Sequence, residues 1–261
     1  MKKINSGTKC WQVLLSVIML LALIVGVFEP TNKIEARLNP TSESVSNYRN
    51  IDISKETYKK LVSKRILGED VSFEDWKAMV LSSVELEKKI VSSGEFYEVY
   101  SSQKSVRGSS FLPAKGDVVI TNGTSSAGIL GHAGIAISPY SILHIEGPNY
   151  HPTTITFGSW NNRYSYINGS SWTKVYRHIN SSTASDAADW AWNTYGNSDA
   201  IYQITSDLTS TSETYCSKIV WQAYYYGPSS PQAFGLTWGY RLPYDLPDNI
   251  YNLNLVNKYS L

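Results

Sequence analysis

The chain has 261 residues, 17% of them charged and 42% hydrophobic, with 19 tyrosines and 8 tryptophans. That is enough for one large domain, or one domain with an extension, and the balance is that of a globular protein. A net charge of +1 offers no basic surface, so nucleic acid is excluded as an expected partner.

The amino terminus reads as a secretory signal over residues 1–36. Lys2, Lys3 and Lys9 precede an apolar run from Trp11 to Phe28, broken only by Gln12, Ser16 and Gly26. Ile34-Glu35-Ala36 closes a candidate cleavage site. An uncleaved single-span anchor is the alternative, since a run of this length is at the short end of what crosses a bilayer. Either way residues 37–261 are expected outside the cytoplasm, secreted or wall-associated, with the membrane involved only through an uncleaved amino-terminal segment. Without residues 1–36 the net charge becomes −1.

Residues 37–105 read as a helical extension and linker. Ser54 can cap a first helix with Tyr58, Leu61, Val62 and Ile66 on one face. Ser72 and Asp75 form a capping-box pattern ahead of a second helix, whose stripe is Trp76, Met79, Val80, Val84, Ile90 and Val91. No cluster of catalytic residue types lies here, so the extension is expected to be dispensable for chemistry. A Ser/Gly-rich stretch, 101–112, marks the boundary with a main domain, 106–261.

Short strands follow: Asp117–Ile120, His132–Ile137, Ser141–Glu146, Thr153–Phe157 and Trp172–Arg177, with a loop over 122–126. They suggest an antiparallel sheet or small barrel. A helix from Ala184 to Tyr195 presents alanines on one side. A second helix starts near Cys216, with Thr214 as its expected cap. The tail, with Pro228, Pro231, Pro243 and Pro247, is too broken for long elements. The fold class is α+β.

With residues 1–36 gone, Cys216 is the only thiol, with no partner for an internal disulfide. In the first turn of a helix it meets the positive end of the macrodipole, which favours thiolate and reaction at mildly acidic pH. A buried core cysteine is the bland alternative. A thiol nucleophile needs a base and a group to orient it. His132 begins a strand of small residues, and alternation sets His144 and Glu146 on one face of the next strand. Antiparallel pairing would let a carboxylate on that strand reach the His132 imidazole. A zinc set of His132, His144, Glu146 and His151 is the rival, but no metal-ligand spacing is present and Cys216 would go unexplained. No cofactor or metal is expected.

The motifs GDVVI, GHAGIAI, LHIEGPN and YCSKIVWQAYY, in that order, resemble the circularly permuted papain-like hydrolases of the YiiX/YaeF type. These are relatives of the NlpC-type cell-wall peptidases and of the lecithin retinol acyltransferase group. The resemblance covers roughly residues 111–247 and implies a papain-like α+β fold. It implies Cys216 as nucleophile, His132 as base and Glu146 as orienting acid, with His144 the alternative third member because the acyltransferase branch has histidine there. The expected activity is a secreted cysteine amidase or peptidase acting on a water-soluble amide, with peptidoglycan fragments as candidate substrates. The alternatives are a thiol acyltransferase or lipid esterase on the same scaffold, and a non-catalytic wall-binding protein in which Trp160, Trp172 and Trp238 stack on sugars.

Overall fold

A computed structural model describes residues 51–92, 111–167 and 170–260, all within one compact unit, Pro40–Leu261. The expected signal peptide, 1–36, and nearly all of the 101–112 linker lie outside the described residues. No described helix is long and apolar enough to cross a membrane.

Helix α1 (Lys55–Ser63) starts where the Ser54 hydroxyl accepts the Thr57 amide at 3.2 Å. Helix α2 (Phe73–Ser92) starts at a reciprocal capping box. Ser72 Oγ accepts the Asp75 amide at 3.1 Å, and Asp75 Oδ2 accepts the Ser72 amide at 3.3 Å.

Strands β1 (Val118–Ser126), β2 (Ile129–Ser138), β3 (Ser141–His144), β4 (Thr153–Thr156), β5 (Trp172–His178) and β8 (Leu253–Ser260) form an open sheet in the order β4-β3-β2-β1-β5-β8. Every pairing is antiparallel. The sheet is six-stranded and not closed, so the barrel alternative falls away. The loop expected over 122–126 is strand, with a register shift between Thr121 and Ser125. The tail expected to hold no long element supplies β8.

Side-chain alternation divides the sheet into two faces. Ala133 and Ile135 of β2 and Leu143 of β3 belong to the larger core. That core includes Trp76, Met79 and Val80 of α2, Ala187, Ala188 and Ala191 of α4 (Ser181–Tyr195) and most of α5 (Cys216–Tyr226). Ala136 and Ile142 belong to a smaller core on the opposite face, with Val119, Val175, Phe157, Trp160 and Tyr164. Phe157 and Trp160 lie on the short helix α3 (Phe157–Trp160), which runs into a π turn, Asn161–Ser165, holding Tyr164.

The expected separation of a helical extension from a main domain is not a separation in packing. Helix α2 shares the larger core and is also hydrogen-bonded into the sheet. Trp76 Nε1 donates to Ala127 O at 2.7 Å, Leu130 N to Ser83 Oγ at 3.0 Å, and Asn122 Nδ2 to Glu87 Oε1 at 3.1 Å. Ser83 and Glu87 are fully buried on the helix stripe, and buried polar groups need such partners.

A two-residue parallel pair, β6 (Ile201–Tyr202) and β7 (Glu213–Thr214), holds the long loop before α5. The ammonium of Lys218, buried in α5, donates to Asp207 O and Glu213 O at 2.7 Å each and ties that loop to the helix. After α5 the chain forms a 3₁₀ turn, Pro243–Asp245, and the short helix α6 (Leu246–Asn249) before β8.

Candidate active site

Cys216, Ser217 and His132 line one pocket, together with Glu146, Tyr215, Arg241 and Met79. Its enclosed space is small, ≈ 30 Å³, room for little more than a water, so a substrate's reacting end must enter from the open side.

Cys216 is the first residue of α5 and is 7% exposed. The expected Thr214 cap is absent: Thr214 belongs to β7, and the capping position is Tyr215, whose side chain makes no capping bond. No capping side chain from Tyr215 competes for the first-turn amides of α5, and their partial positive charge acts on the thiol. Burial nevertheless pushes the Cys216 thiol up. It outweighs the pull of the Ala133, Ser217 and Cys216 amides and of the Ser217 hydroxyl. Burial thus works against the expected ionisation of the thiol at mildly acidic pH.

His132 is on the smaller-core face of β2, stacked on Trp160 at 5.2 Å between ring centroids and 15° between planes. Trp160 is held in turn by its Nε1 donating to Thr173 Oγ1 at 3.2 Å. His132 Nε2 lies 2.8 Å from His144 Nδ1. With the shared proton on His132 Nε2, its Nδ1 is left as the acceptor that can take a proton in the pocket. Tyr164 closes the box, with centroids 5.3 Å from His132 and 6.5 Å from His144. In this dry aromatic surround burial disfavours the charged imidazole. His132 is held well below the ordinary histidine range, by burial and then by the charges of His144 and Arg163. Burial, with Arg163 adding to it, brings His144 down to about 4. At neutral pH the pocket therefore holds a neutral thiol and a neutral imidazole, rather than an ion pair.

Glu146 does not orient His132. Its carboxylate takes an ion pair from Arg163, at the pocket rim. The β2–β3 register explains the error. Ile135 faces Leu143 and Ala136 faces Ile142, so a longer β3 would set Glu146 opposite His132. The strand ends at His144 instead. The same register sets His144 across from Gly134, where a Cβ would lie 2.5 Å from Ile142 and 3.2 Å from Trp160. The missing side chain leaves room for His144 to lean diagonally to His132 beneath Trp160.

His151 is elsewhere, its Nδ1 at 3.0 Å from Ala200 O. Of the four residues weighed as a zinc set, only His132 and His144 meet. Among the described residues no group of three His, Cys, Asp or Glu could hold a metal. The sugar-stacking alternative loses two of its three platforms, since Trp160 and Trp172 are buried at 0% and 1% and only Trp238 is open.

Met79, Tyr215 and Arg241 are among the lining residues that the sequence reading did not assign to the site. Met79 comes from α2, so the helices expected to be dispensable form one wall. Its neighbours Ser83 and Glu87, polar residues inside an apolar stripe, were the available signal. Tyr215 and Arg241 lie in aromatic-rich segments with no periodicity to mark them.

The fold and pocket define an α+β protein with a thiol at a helix start beside a buttressed imidazole. The chain belongs to the family described as lipoprotein N-acylation protein LnsA-like, which matches residues 77–259. That span includes all four motifs of the YiiX-type resemblance and most of α2. A Bacillus thuringiensis protein described as "Uncharacterized 30.3 kDa protein" is 36% identical over 160 residues, 57% of this chain. The chain spans 58% of that relative's length. The crystal structure of the metalloprotein YiiX from Escherichia coli O157:H7 superposes with a TM-score of 0.41 at 12% identity, over 58% of this chain and 100% of that one.

Proposed function

We propose that the protein is a thiol acyltransferase, moving an acyl group from an ester donor to an amine through a thioester on Cys216. The observation that carries this reading is the His132–His144 pair beside Cys216 in one pocket. The family's description, lipoprotein N-acylation, supplies the reaction class.

In the first half, His132 Nδ1 takes the Cys216 proton as sulfur attacks the ester carbonyl. The tetrahedral oxyanion forms where the uncapped amides of the α5 first turn can donate to it. The C–O bond breaks and the leaving alkoxide takes the proton from His132. In the second half an amine attacks the thioester, the C–S bond breaks, an amide forms and the amine's proton returns to sulfur through His132.

A neutral His144 fixes the tautomer of His132 but gives the transient imidazolium less support than a carboxylate would. Such a base suits an ester, whose alkoxide leaves with less help from a proton than the nitrogen of an amide needs, and this favours acyl transfer over the amidase reading. Hydrolysis of cell-wall amides is the second reading, since water can replace the amine in the same pocket. The apolar segment Trp11–Phe28 fits a chain exported to, or tethered at, the outer side of a membrane, where both kinds of substrate are found.

The test incubates the full chain and its Cys216→Ala variant with phospholipid vesicles plus an S-diacylglyceryl-cysteine peptide, and separately with muropeptides. Mass spectrometry follows the products. An N-acylated peptide and an acyl adduct on Cys216, both absent with the variant, are expected. Cysteine-dependent release of an amine from muropeptides, with no acylated peptide, overturns acyl transfer in favour of the amidase.

A further inference from the structure

Two charged side chains line the pocket mouth, and they differ. Glu146 is neutralised by Arg163. Arg241 makes no direct ion pair: among the described residues no carboxylate stands at ion-pair distance from it, the carboxyl that acts on it is the buried Asp245, and its Nε–H is buried without a hydrogen-bond partner.

The guanidinium is nevertheless fixed in place. Its Nη1 donates to Tyr240 O at 3.0 Å and its Nη2 to Leu236 O at 2.8 Å. Its plane lies over the Trp221 ring, 4.8 Å from the centroid. Gly235, at φ +102°, leaves the space it occupies, since a Cβ there would lie 2.7 Å from Nη2. The backbone is anchored beside the thiol as well: Ser217 Oγ donates to Arg241 O at 2.6 Å, and Arg241 N donates to the Tyr215 hydroxyl at 3.1 Å.

A positioned guanidinium that keeps an unused N–H, and whose internal acid Asp245 is pushed toward its neutral form by burial, is an incomplete ion pair. A neutral carbonyl would satisfy the N–H but leave the half-buried charge only partly compensated, whereas an oxyanion satisfies both. We infer that Arg241 is the anion-recognition residue of this pocket, and that the acyl donor bears an oxyanion, a phosphate ester or a carboxylate, near its ester carbonyl. This rests on the acyl-transfer reading for the identity of the ligand, but not for the existence of the site.

The binding arm uses the Cys216→Ala protein, so it needs no chemistry. Calorimetry compares dihexanoylphosphatidylglycerol, dihexanoylglycerol, a dihexanoylglycerol hemisuccinate, glycerol phosphate and inorganic phosphate. The two anionic donors should bind more tightly than the neutral one, by tenfold or more on the order expected for a charged hydrogen bond. Adding Arg241→Gln should erase that preference, and Arg241→Lys should keep part of it. Inorganic phosphate binding as tightly as either donor would overturn the assignment to a donor-borne group. The kinetic arm compares kcat/KM on the anionic and neutral donors in the Cys216 enzyme. For Arg241→Gln the ratio should collapse through KM. Equal losses on both donors, at an unchanged melting temperature, would overturn the proposal while leaving cysteine-dependent acyl transfer intact. If no donor is turned over but the anion preference holds in the binding arm, the acyl-transfer reading fails and the site stands.

Discussion

The two faces of the sheet solve different problems. The larger-core face is aliphatic and helix-covered, and it delivers Cys216 on the first turn of α5. The smaller-core face is aromatic, and it holds His132 and His144 between Trp160 and Tyr164. Each face desolvates its own half of the site: one pushes the thiol up, the other holds the imidazoles down. Both effects favour the uncharged thiol and the uncharged imidazole. Burial thus opposes the pre-ionisation that the helix dipole favours.

The largest break in this contrast should come from the aromatic face. His144→Gln should lower thiol-dependent kcat/KM by on the order of 10³ to 10⁴, the cost of losing the correct tautomer. Glu146→Gln, which removes only a partly exposed ion pair with Arg163, should cost less than about tenfold. Both are read as initial rates on one donor. The reverse ranking would restore the carboxylate as the orienting group.

On the helix-covered face Trp76→Ala should destabilise the fold by about 3–5 kcal/mol, since it empties a fully buried site and strands Ala127 O. Urea denaturation measures it. A change below about 1 kcal/mol would mean that α2 is a removable extension after all.

The smallest effect is one of pH. A histidine depressed in the folded state binds its proton more readily when unfolded, so its contribution is complete above about pH 6.5 and is lost as pH falls. His144, at about 4 in the fold, should account for up to about 3 kcal/mol of lost stability between pH 6.5 and 4. Asp245, which burial pushes up to about 7, works in the opposite direction, so the wild-type curve alone is ambiguous. The stability difference between wild type and His144→Gln should shrink on acidification. A difference independent of pH would show that His144 titrates normally.

The pieces legible in the sequence were those with a strict period. Alternation found β2 and β3 and put His132 and His144 on one face, and the 3.6-residue stripe found α2. What failed depended on where a pattern stops. Alternation continued past His144 promotes Glu146, but the ladder ends there and Arg163, on a π turn with no sequence signature, claims the carboxylate. Strand β8 was hidden because the register shift between Val175 and Tyr176 of its partner breaks its alternation. The thiol's state was missed because a dipole acts locally, whereas burial is set by elements far away in sequence.

Strand β8 has one more consequence, for the order of events during synthesis. It pairs along all of β5, from Trp172 opposite Ser260 to His178 opposite Leu253. Everything else in the sheet precedes it by about seventy residues or more, and the Cys216 helix lies between. Until residue 260 has left the ribosome, β5 is an open edge whose amides and carbonyls facing away from β1 are unpaired, the kind of edge that recruits strands from other chains. The nascent protein thus carries a complete thiol helix before it has a complete sheet, and a chain cut before Leu253 leaves that edge permanently open.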